Sequence, residues 1–153
     1  MKKILFLLAV ICWAGISTAQ AQMVEEKEGV YYWDNKPYTG MYIGTYENGN
    51  TKFSIYLKNG LKDGEMRFFY NDGTLKEVRH YAKGEKDGEW LSYNEKGVKV
   101  GLANYTNGAK DGDWKVWSDK GTLVYEMIYA KGERTGKWNR YNEKGELISS
   151  REF

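Results

Sequence analysis

The sequence is poor in the residues from which metal sites, disulfides and nucleophilic active sites are built. Its 153 residues include one cysteine, Cys12, one histidine, His80, and one proline, Pro37. A single cysteine excludes an intrachain disulfide, and one histidine without other soft ligands cannot hold zinc or iron. No serine or threonine has a recognisable base and orienting group beside it. We therefore expect no metal, no cofactor and no catalytic residue.

The N-terminal 21 residues contain no acidic side chain and have the pattern of an export signal. The basic start Met1–Lys3 precedes an apolar run, Ile4–Ile16, and the segment Ser17–Ala21, rich in small residues, ends in Ala19-Gln20-Ala21. This pattern is typical of a signal peptide cleaved after an A-x-A site. The apolar run is shorter than the about 20 residues that a membrane-spanning helix needs. We expect residues 1–21 to be removed, an uncleaved anchor being the alternative, and the protein to be periplasmic or secreted.

The expected mature chain has no excess of either charge. Lys2 and Lys3 are the only charged residues of the signal, so its removal leaves 21 basic side chains beside 21 acidic ones. Nucleic acids and anionic membranes attract clustered positive charge. The composition therefore gives no reason to expect a nucleic-acid or lipid partner.

Glycine and aromatic residues are abundant instead, and the glycines recur with a fixed period. The chain has 18 glycines, and 16% of its residues are aromatic. Glycines separated by 24 residues indicate tandem copies of one structural unit. Two of these columns are Gly64, Gly88, Gly112 and Gly136, and Gly73, Gly97, Gly121 and Gly145.

Each 24-residue unit has the pattern of a β-hairpin. In the unit that starts at Gly64, two strand-like segments flank Asn71-Asp72-Gly73, a sequence suited to a type I turn closed by a glycine bulge. Short connections of this kind allow only antiparallel pairing. The sequence predicts an all-β, single-layer antiparallel meander of about five hairpin repeats over residues 36–153. Residues 22–35 form a leading segment, in which Tyr31–Trp33 is expected to be the last strand of a partial repeat.

Aromatic side chains also recur with the period of 24 and define two candidate surfaces. An exposed apolar face on a single-layer sheet would mark a partner site, although most of the rings are also expected to hold neighbouring repeats together. The two columns are three residues apart, so they should face opposite sides of the sheet. The candidate partner-binding face is Tyr42, Trp90, Trp114 and Trp138; the second column, expected to be structural, is Phe69, Tyr93, Trp117 and Tyr141.

The units resemble the MORN-repeat variant of bacterial proteins, whose pattern is G-x-x-x-G-x-W-x-x-Y-x-x-x-G. The segment from Gly84 to Gly97, with Trp90 and Tyr93, fits this pattern best. The resemblance extends over about residues 30 to 153. It implies the hairpin-repeat fold and, because such proteins are often described as YwqK-family antitoxins, a role in binding another protein. For an exported chain the target of an antitoxin would also have to be exported.

We therefore expect an exported, non-enzymatic repeat protein that binds another exported or envelope protein. A ladder of strands has two unpaired edges that can also accept a partner strand. Two alternatives remain open. The regularly spaced rings could stack on an envelope glycan, or the sheet could be a structural spacer that assembles with copies of itself.

Overall fold

The computed structural model describes residues 24–153, and every regular element within that range is a β-strand. The predicted signal peptide, residues 1–21, lies outside the described residues. The strands are β1 (Glu25–Lys27), β2 (Val30–Trp33), β3 (Lys36–Pro37), β4 (Gly40–Thr45), β5 (Thr51–Lys58), β6 (Leu61–Phe69), β7 (Leu75–Ala82), β8 (Glu85–Lys86), β9 (Gly88–Tyr93), β10 (Lys99–Thr106), β11 (Ala109–Lys110), β12 (Gly112–Trp117), β13 (Leu123–Ala130), β14 (Glu133–Tyr141) and β15 (Leu147–Glu152).

Most of the strands belong to one antiparallel meander. Ten of them lie in the order β4-β5-β6-β7-β9-β10-β12-β13-β14-β15, and the two-residue strands β8 and β11 pair with β7 and β10 at the same sheet. Each strand therefore lies beside its neighbour in sequence, as expected for hairpins joined by short loops. The predicted all-β antiparallel meander of hairpin repeats is confirmed, although one end carries a second layer.

Each hairpin of the meander has a tight turn, followed by a bulge near the beginning of its second strand. In the hairpin of β6 and β7, the N–H of Gly73 donates to the carbonyl of Tyr70 at 2.9 Å, and Gly73 has φ 90°. Phe69 then pairs with Leu75 but Phe68 with Glu77, so Lys76 is an extra residue on β7. Such a bulge changes which side of the sheet the following side chains occupy. The same shift recurs in the other hairpins.

The register assigns every strand side chain to one of two faces. Trp90 pairs with Ala103, and Trp114 with Met127, so these four side chains share a side that we call the ladder face. Successive strand residues point to opposite sides. Tyr93, three residues beyond Trp90 in the unbulged strand β9, therefore lies on the other side, the opposite face. The candidate columns of the sequence analysis are thus placed on different faces.

A second, three-stranded sheet covers one end of the ladder face. β1, β2 and β3 pair antiparallel and fold over β4–β6. Beneath them Ile55 and Leu57 are 1% and 0% exposed, and Met66 is 7% exposed. The N–H of Tyr31 donates to the carbonyl of Gly60 at 2.8 Å and fastens the two sheets. The best-buried side chains lie here because, among residues 24–153, only this end of the sheet has a second layer.

The leading residues differ in one respect from the expectation. Tyr31–Trp33 lie in a strand, β2, but β2 does not extend the main ladder as the last strand of a partial repeat would. Folding back removes Ile55 and Leu57 from water, whereas extension would leave both exposed. Burial of apolar surface favours the folded-back arrangement.

Two strands remain at the edges of the main sheet. Among the described residues β4 pairs only with β5, and β15 only with β14. All six residues of β15 are exposed, and Met41 and Ile43 of β4 are exposed on the opposite face. Both edges therefore present unpaired backbone groups.

Candidate partner-binding surface

Seven aromatic rings form one continuous ladder on the ladder face. Neighbouring ring centroids are 4.8 to 5.5 Å apart, and the ring planes are inclined by 50 to 66°. Each of the last three hairpins has a first strand that carries a tryptophan and a second strand with a tyrosine in it or a phenylalanine directly after it. Every ring contact of the ladder joins one tryptophan to one tyrosine or phenylalanine, either in the same hairpin or in the neighbouring one. Tilted and edge-to-face geometry is the favourable one for aromatic pairs. The rings in order are Tyr81, Trp90, Tyr105, Trp114, Tyr129, Trp138 and Phe153.

The three tryptophans are also hydrogen-bonded to the preceding repeat. The indole N–H of Trp90 donates to the carbonyl of His80 at 3.0 Å, and that of Trp114 to the carbonyl of Asn104 at 3.1 Å. Trp138 repeats the contact with the carbonyl of Ile128 at 3.0 Å. The indoles therefore join successive hairpins and are half-buried. Their first role is to hold the register of the sheet.

Tyr42, the fourth predicted member of the partner-binding column, lies in a different environment. Its ring contacts those of Tyr31, at 6.0 Å, and Phe53, at 5.2 Å, beneath the three-stranded sheet. Met66, which occupies the next repeat of the column, is buried in the same cluster. The covered end thus separates Tyr42 from the tryptophans.

A row of cationic side chains lies over the ladder. The ammonium of Lys86 is 4.6 Å from the ring centroid of Trp90, and that of Lys110 is 4.2 Å from the ring of Trp114. Arg134 lies 4.8 Å from Trp138. Contacts of this kind are favourable because the ring face is electron-rich. Each repeat therefore adds one cation that covers a ring pair. The sequence did not reveal this row, because Lys86 and Lys110 lie in the short junction strands β8 and β11, where lysine is also an ordinary solvent-exposed residue.

The backbone of this row is fixed by bonds between successive repeats. The carbonyl of Lys86 accepts a hydrogen bond from the N–H of Gly108 at 2.8 Å, and that of Lys110 from Gly132 at 2.8 Å. The carboxylates next to these lysines in sequence also bond the following repeat. Asp87 accepts from the N–H of Asn107 at 3.2 Å. These bonds shape the junctions and leave the lysine side chains over the rings.

Two of the more exposed apolar side chains of the ladder face lie outside the ring ladder. Val116 and Tyr125 are cross-strand partners of β12 and β13 and are 40% and 38% exposed. Arg140 pairs with Tyr125 across β13 and β14, and its guanidinium is 6.0 Å from the ring. This part of the face has no second layer among the described residues and could contact a partner directly.

The opposite face carries the second aromatic column and a network of ion pairs. The hydroxyl of Tyr141 donates to Glu126 at 3.2 Å, and Lys115 bonds the same carboxylate at 3.0 Å. Lys115 holds the pKa of Glu126 below its usual range, and Glu126 raises the pKa of Lys115. Trp117 lies under the ammonium of Lys99, 4.6 Å from its ring. The column members are Phe69, Tyr93, Trp117 and Tyr141.

The periodic glycines occupy two kinds of position. Gly73, Gly97, Gly121 and Gly145 lie at the hairpin turns with φ between 75 and 90°. The other set begins or interrupts first strands with φ between 60 and 98°, a region that side chains with a Cβ rarely adopt. That set is Gly64, Gly88, Gly112 and Gly136.

The next feature is the arrangement of potential metal ligands among the described residues. No group of three or more histidine, cysteine, aspartate or glutamate side chains in residues 24–153 is arranged to hold one. His80 instead contacts protein groups, with Nδ1 2.7 Å from the carbonyl of Glu89 and Nε2 3.6 Å from the carboxylate of Glu65. Nor does any helix in this range have the length and apolarity to cross a membrane.

The fold and the ladder define the class of protein: a β-hairpin repeat protein in which each central unit adds one indole and one phenol to a shared row of rings. Within it, residues 62–83, 86–107 and 110–131 match the family model of the MORN repeat variant. The chain therefore carries three consecutive MORN-variant repeats. No curated protein matches the sequence.

Proposed function

We propose that this chain is an exported, non-enzymatic module that binds another protein through its ladder face. The observation that carries the proposal is the uncovered part of that face, where Val116 and Tyr125 are exposed between cationic side chains. A single-layer sheet cannot bury this surface itself, and exposed apolar surface rimmed by polar groups is typical of binding sites. MORN repeats support the repeat-module part of the proposal.

Export is the part of the proposal that depends on residues 1–21. If the signal is cleaved after Ala21, the protein recovered outside the cytoplasm begins at Gln22. Intact-mass analysis of the protein from cell fractions measures this directly. A cytoplasmic protein that retains Met1 would contradict export, and would also reopen an antitoxin role against a cytoplasmic target.

The binding experiment compares two matched double variants. Val116→Ser with Tyr125→Ser removes an aliphatic side chain and a tyrosine from the ladder face. Ile128→Ser with Tyr56→Ser removes the same pair of side-chain types from the opposite face, where they are 37% and 41% exposed. None of the four side chains belongs to the ring ladder, so both variants should fold.

The protein is used to capture partners from envelope and secreted fractions of the source cells, and captured proteins are identified by mass spectrometry. We expect one protein to be enriched by the wild type and the opposite-face variant but lost with the ladder-face variant. Equal capture by both variants would place the site elsewhere. No enrichment by a folded protein would contradict the proposal.

The structure gives less support to stacking on a glycan. Successive ladder rings are inclined by 50 to 66°, so they do not present coplanar faces along one line. Lys86 and Lys110 also cover the faces of Trp90 and Trp114. A sugar chain would have to displace these cations before it could stack.

Self-assembly is the second candidate, and one observation favours it. The edge strand β4 has no charged residue and no proline, and it exposes Met41 and Ile43. Charged residues, prolines and bulges are the devices that usually protect sheet edges from pairing. Light scattering over a concentration series tests this candidate, because an edge-to-edge assembly must grow with concentration.

A further inference from the structure

Charge is distributed unequally between the two faces. By strand register and ring contacts, seven cationic side chains lie on the ladder face: Lys62, Arg79, Lys86, Lys110, Arg134, Arg140 and Arg151. The strand carboxylate Glu77 shares that face and pairs with Arg79. The opposite face is more balanced: its cations Arg67 and Lys115 lie beside carboxylates, and its Lys137, which has no ion pair among residues 24–153, shares the face with Glu152. The nearly neutral composition therefore conceals a strongly positive face.

The cations of the ladder face also lack acidic partners. Apart from Arg79, which pairs with Glu77, none of the seven makes an ion pair with a carboxylate of residues 24–153. The Lys86 and Lys110 ammonium groups are held between two rings each, with centroid distances from 4.2 to 4.8 Å. A contact with a ring face does not neutralise the positive charge of an ammonium group. These cations are positioned and remain able to bind an anion.

The spacing of the cation row suits an extended polypeptide. One cation per hairpin corresponds to two strand spacings, ~9.6 Å along the sheet. A polyproline II segment advances ~9.3 Å in three residues and returns to the same side, so every third side chain would meet the next cation. A β-strand partner fits less well, because residues three apart point to opposite sides.

We infer that the ladder face binds an acidic, extended polypeptide segment, with carboxylates at about every third residue paired to Lys86, Lys110 and Arg134. Its apolar side chains lie against Val116 and Tyr125, which border the row. This inference rests on the proposed protein-binding function and specifies the chemistry of the partner. A row of positive charges also accelerates association with an acidic partner and makes the affinity depend on salt concentration.

The experiment uses three fluorescent 12-residue peptides and the protein purified after expression of the full chain. The peptide (Glu-Pro-Pro)4 has the proposed spacing. In (Gln-Pro-Pro)4 the charge is removed. The third peptide keeps the composition of the first but clusters its carboxylates, with all the glutamates placed before all the prolines. Fluorescence anisotropy at low salt measures the three affinities. We expect (Glu-Pro-Pro)4 to bind at least about tenfold more tightly than either control.

Two matched triple variants locate the binding site. Lys86→Gln, Lys110→Gln and Arg134→Gln should weaken binding of (Glu-Pro-Pro)4 about tenfold, as expected for three moderately exposed charge pairs. The opposite-face triple variant, Arg67→Gln, Lys115→Gln and Lys137→Gln, should leave it unchanged.

Lys86→Arg with Lys110→Arg keeps both charges over the rings and should retain the affinity. This variant is a control: if the glutamine variant lost affinity only because its ring ladder was weaker, the charge itself would not be needed, whereas retained binding by the arginine variant shows that the charge is what matters. Thermal unfolding shows that each variant is folded at the assay temperature.

Three results would overturn the inference. One is equal binding of the glutamate and glutamine peptides, and another is an equal loss in the two triple variants. The third is displacement of the acidic peptide by phosphatidylglycerol vesicles or alginate at lower concentrations than by unlabelled peptide, which would assign the face to a lipid or an acidic glycan.

The proposed function can survive each of these results. A protein captured from cells that is lost with the Val116 and Tyr125 double variant, yet retained by the triple glutamine variant of the cation row, would leave the binding module intact and contradict only its preference for acidic segments.

Discussion

Replacing one ladder tryptophan tests whether the rings carry the stability of the sheet. Trp114→Ala removes ring contacts to Tyr105 and Tyr129, at centroid distances of 5.4 and 5.2 Å, and the hydrogen bond to the carbonyl of Asn104. Two aromatic pairs contribute about 0.5–1.5 kcal/mol each, and the hydrogen bond about 1 kcal/mol. Since the indole is half-buried, we expect the free energy of unfolding to fall by about 3 kcal/mol, the low end for a tryptophan truncation.

The matched control is Trp117→Ala in the same strand. Its ring lies on the opposite face, contacts Lys99 at 4.6 Å, and has neither an aromatic partner nor an indole hydrogen bond within residues 24–153. We expect a loss of about 1 kcal/mol. Trp114→Phe should give an intermediate loss, because it keeps a ring between Tyr105 and Tyr129 but loses the indole hydrogen bond to the carbonyl of Asn104, which keeps only the N–H of Asp111 as donor.

Equilibrium urea unfolding followed by far-ultraviolet circular dichroism measures all three variants. The reasoning would be refuted if Trp117→Ala cost as much as Trp114→Ala, because equal losses would mean that the ladder contributes no more than any surface ring. A change in the urea dependence itself would show that the repeats no longer unfold as one unit. Repeat proteins allow this outcome, since each unit contacts only its neighbours.

Other regions give predictions that are checked by the same unfolding experiments. Gly60→Ala should destabilise by more than Gly49→Ala: both glycines have positive φ, but a Cβ at Gly60 would lie 2.6 Å from Cγ1 of Val30, whereas nothing lies within 4 Å at Gly49. Equal losses would show that the three-stranded sheet does not pack at Gly60. The lowered pKa of Glu126 means that its pair with Lys115 stabilises the fold above the ordinary glutamate pKa and is lost as pH falls through the lowered pKa. The free energy of unfolding should therefore fall less steeply with decreasing pH in Glu126→Gln than in the wild type. The same slope in both proteins would mean that the Glu126–Lys115 pair does not stabilise the fold.

The repeat architecture could be predicted because its determinants are local in sequence. Turn glycines such as Gly73 and Gly97 recur with the same period as the strands that they connect, and short turns permit only antiparallel neighbours. The separation of Trp90 and Tyr93 onto different faces followed from the alternation of side chains in a strand. The number of repeats and the direction of pairing required no long-range information.

The composition of the candidate site was harder to predict. The ladder combines tryptophans of first strands with tyrosines of second strands, and a bulged residue such as Lys76 alters the side on which later residues lie. The cations come from the junctions between hairpins, in β8, β11 and the start of β14, where charged residues are also the ordinary solvent-exposed choice. Sequence columns therefore identified Trp90 and Trp114 but not the lysines that cover them.

The sequence by itself determined the hairpin, its period and the antiparallel ladder, because each depends on interactions between residues close together along the chain. Only the tertiary structure decided that residues 25–37 fold back over Ile55 and Leu57, since that choice depends on which apolar surface is available to cover. It also decided where the charges lie. A net charge counts side chains without regard to direction, whereas the register of the strands places seven cations on the ladder face, and among residues 24–153 only Arg79 of these seven pairs with a carboxylate.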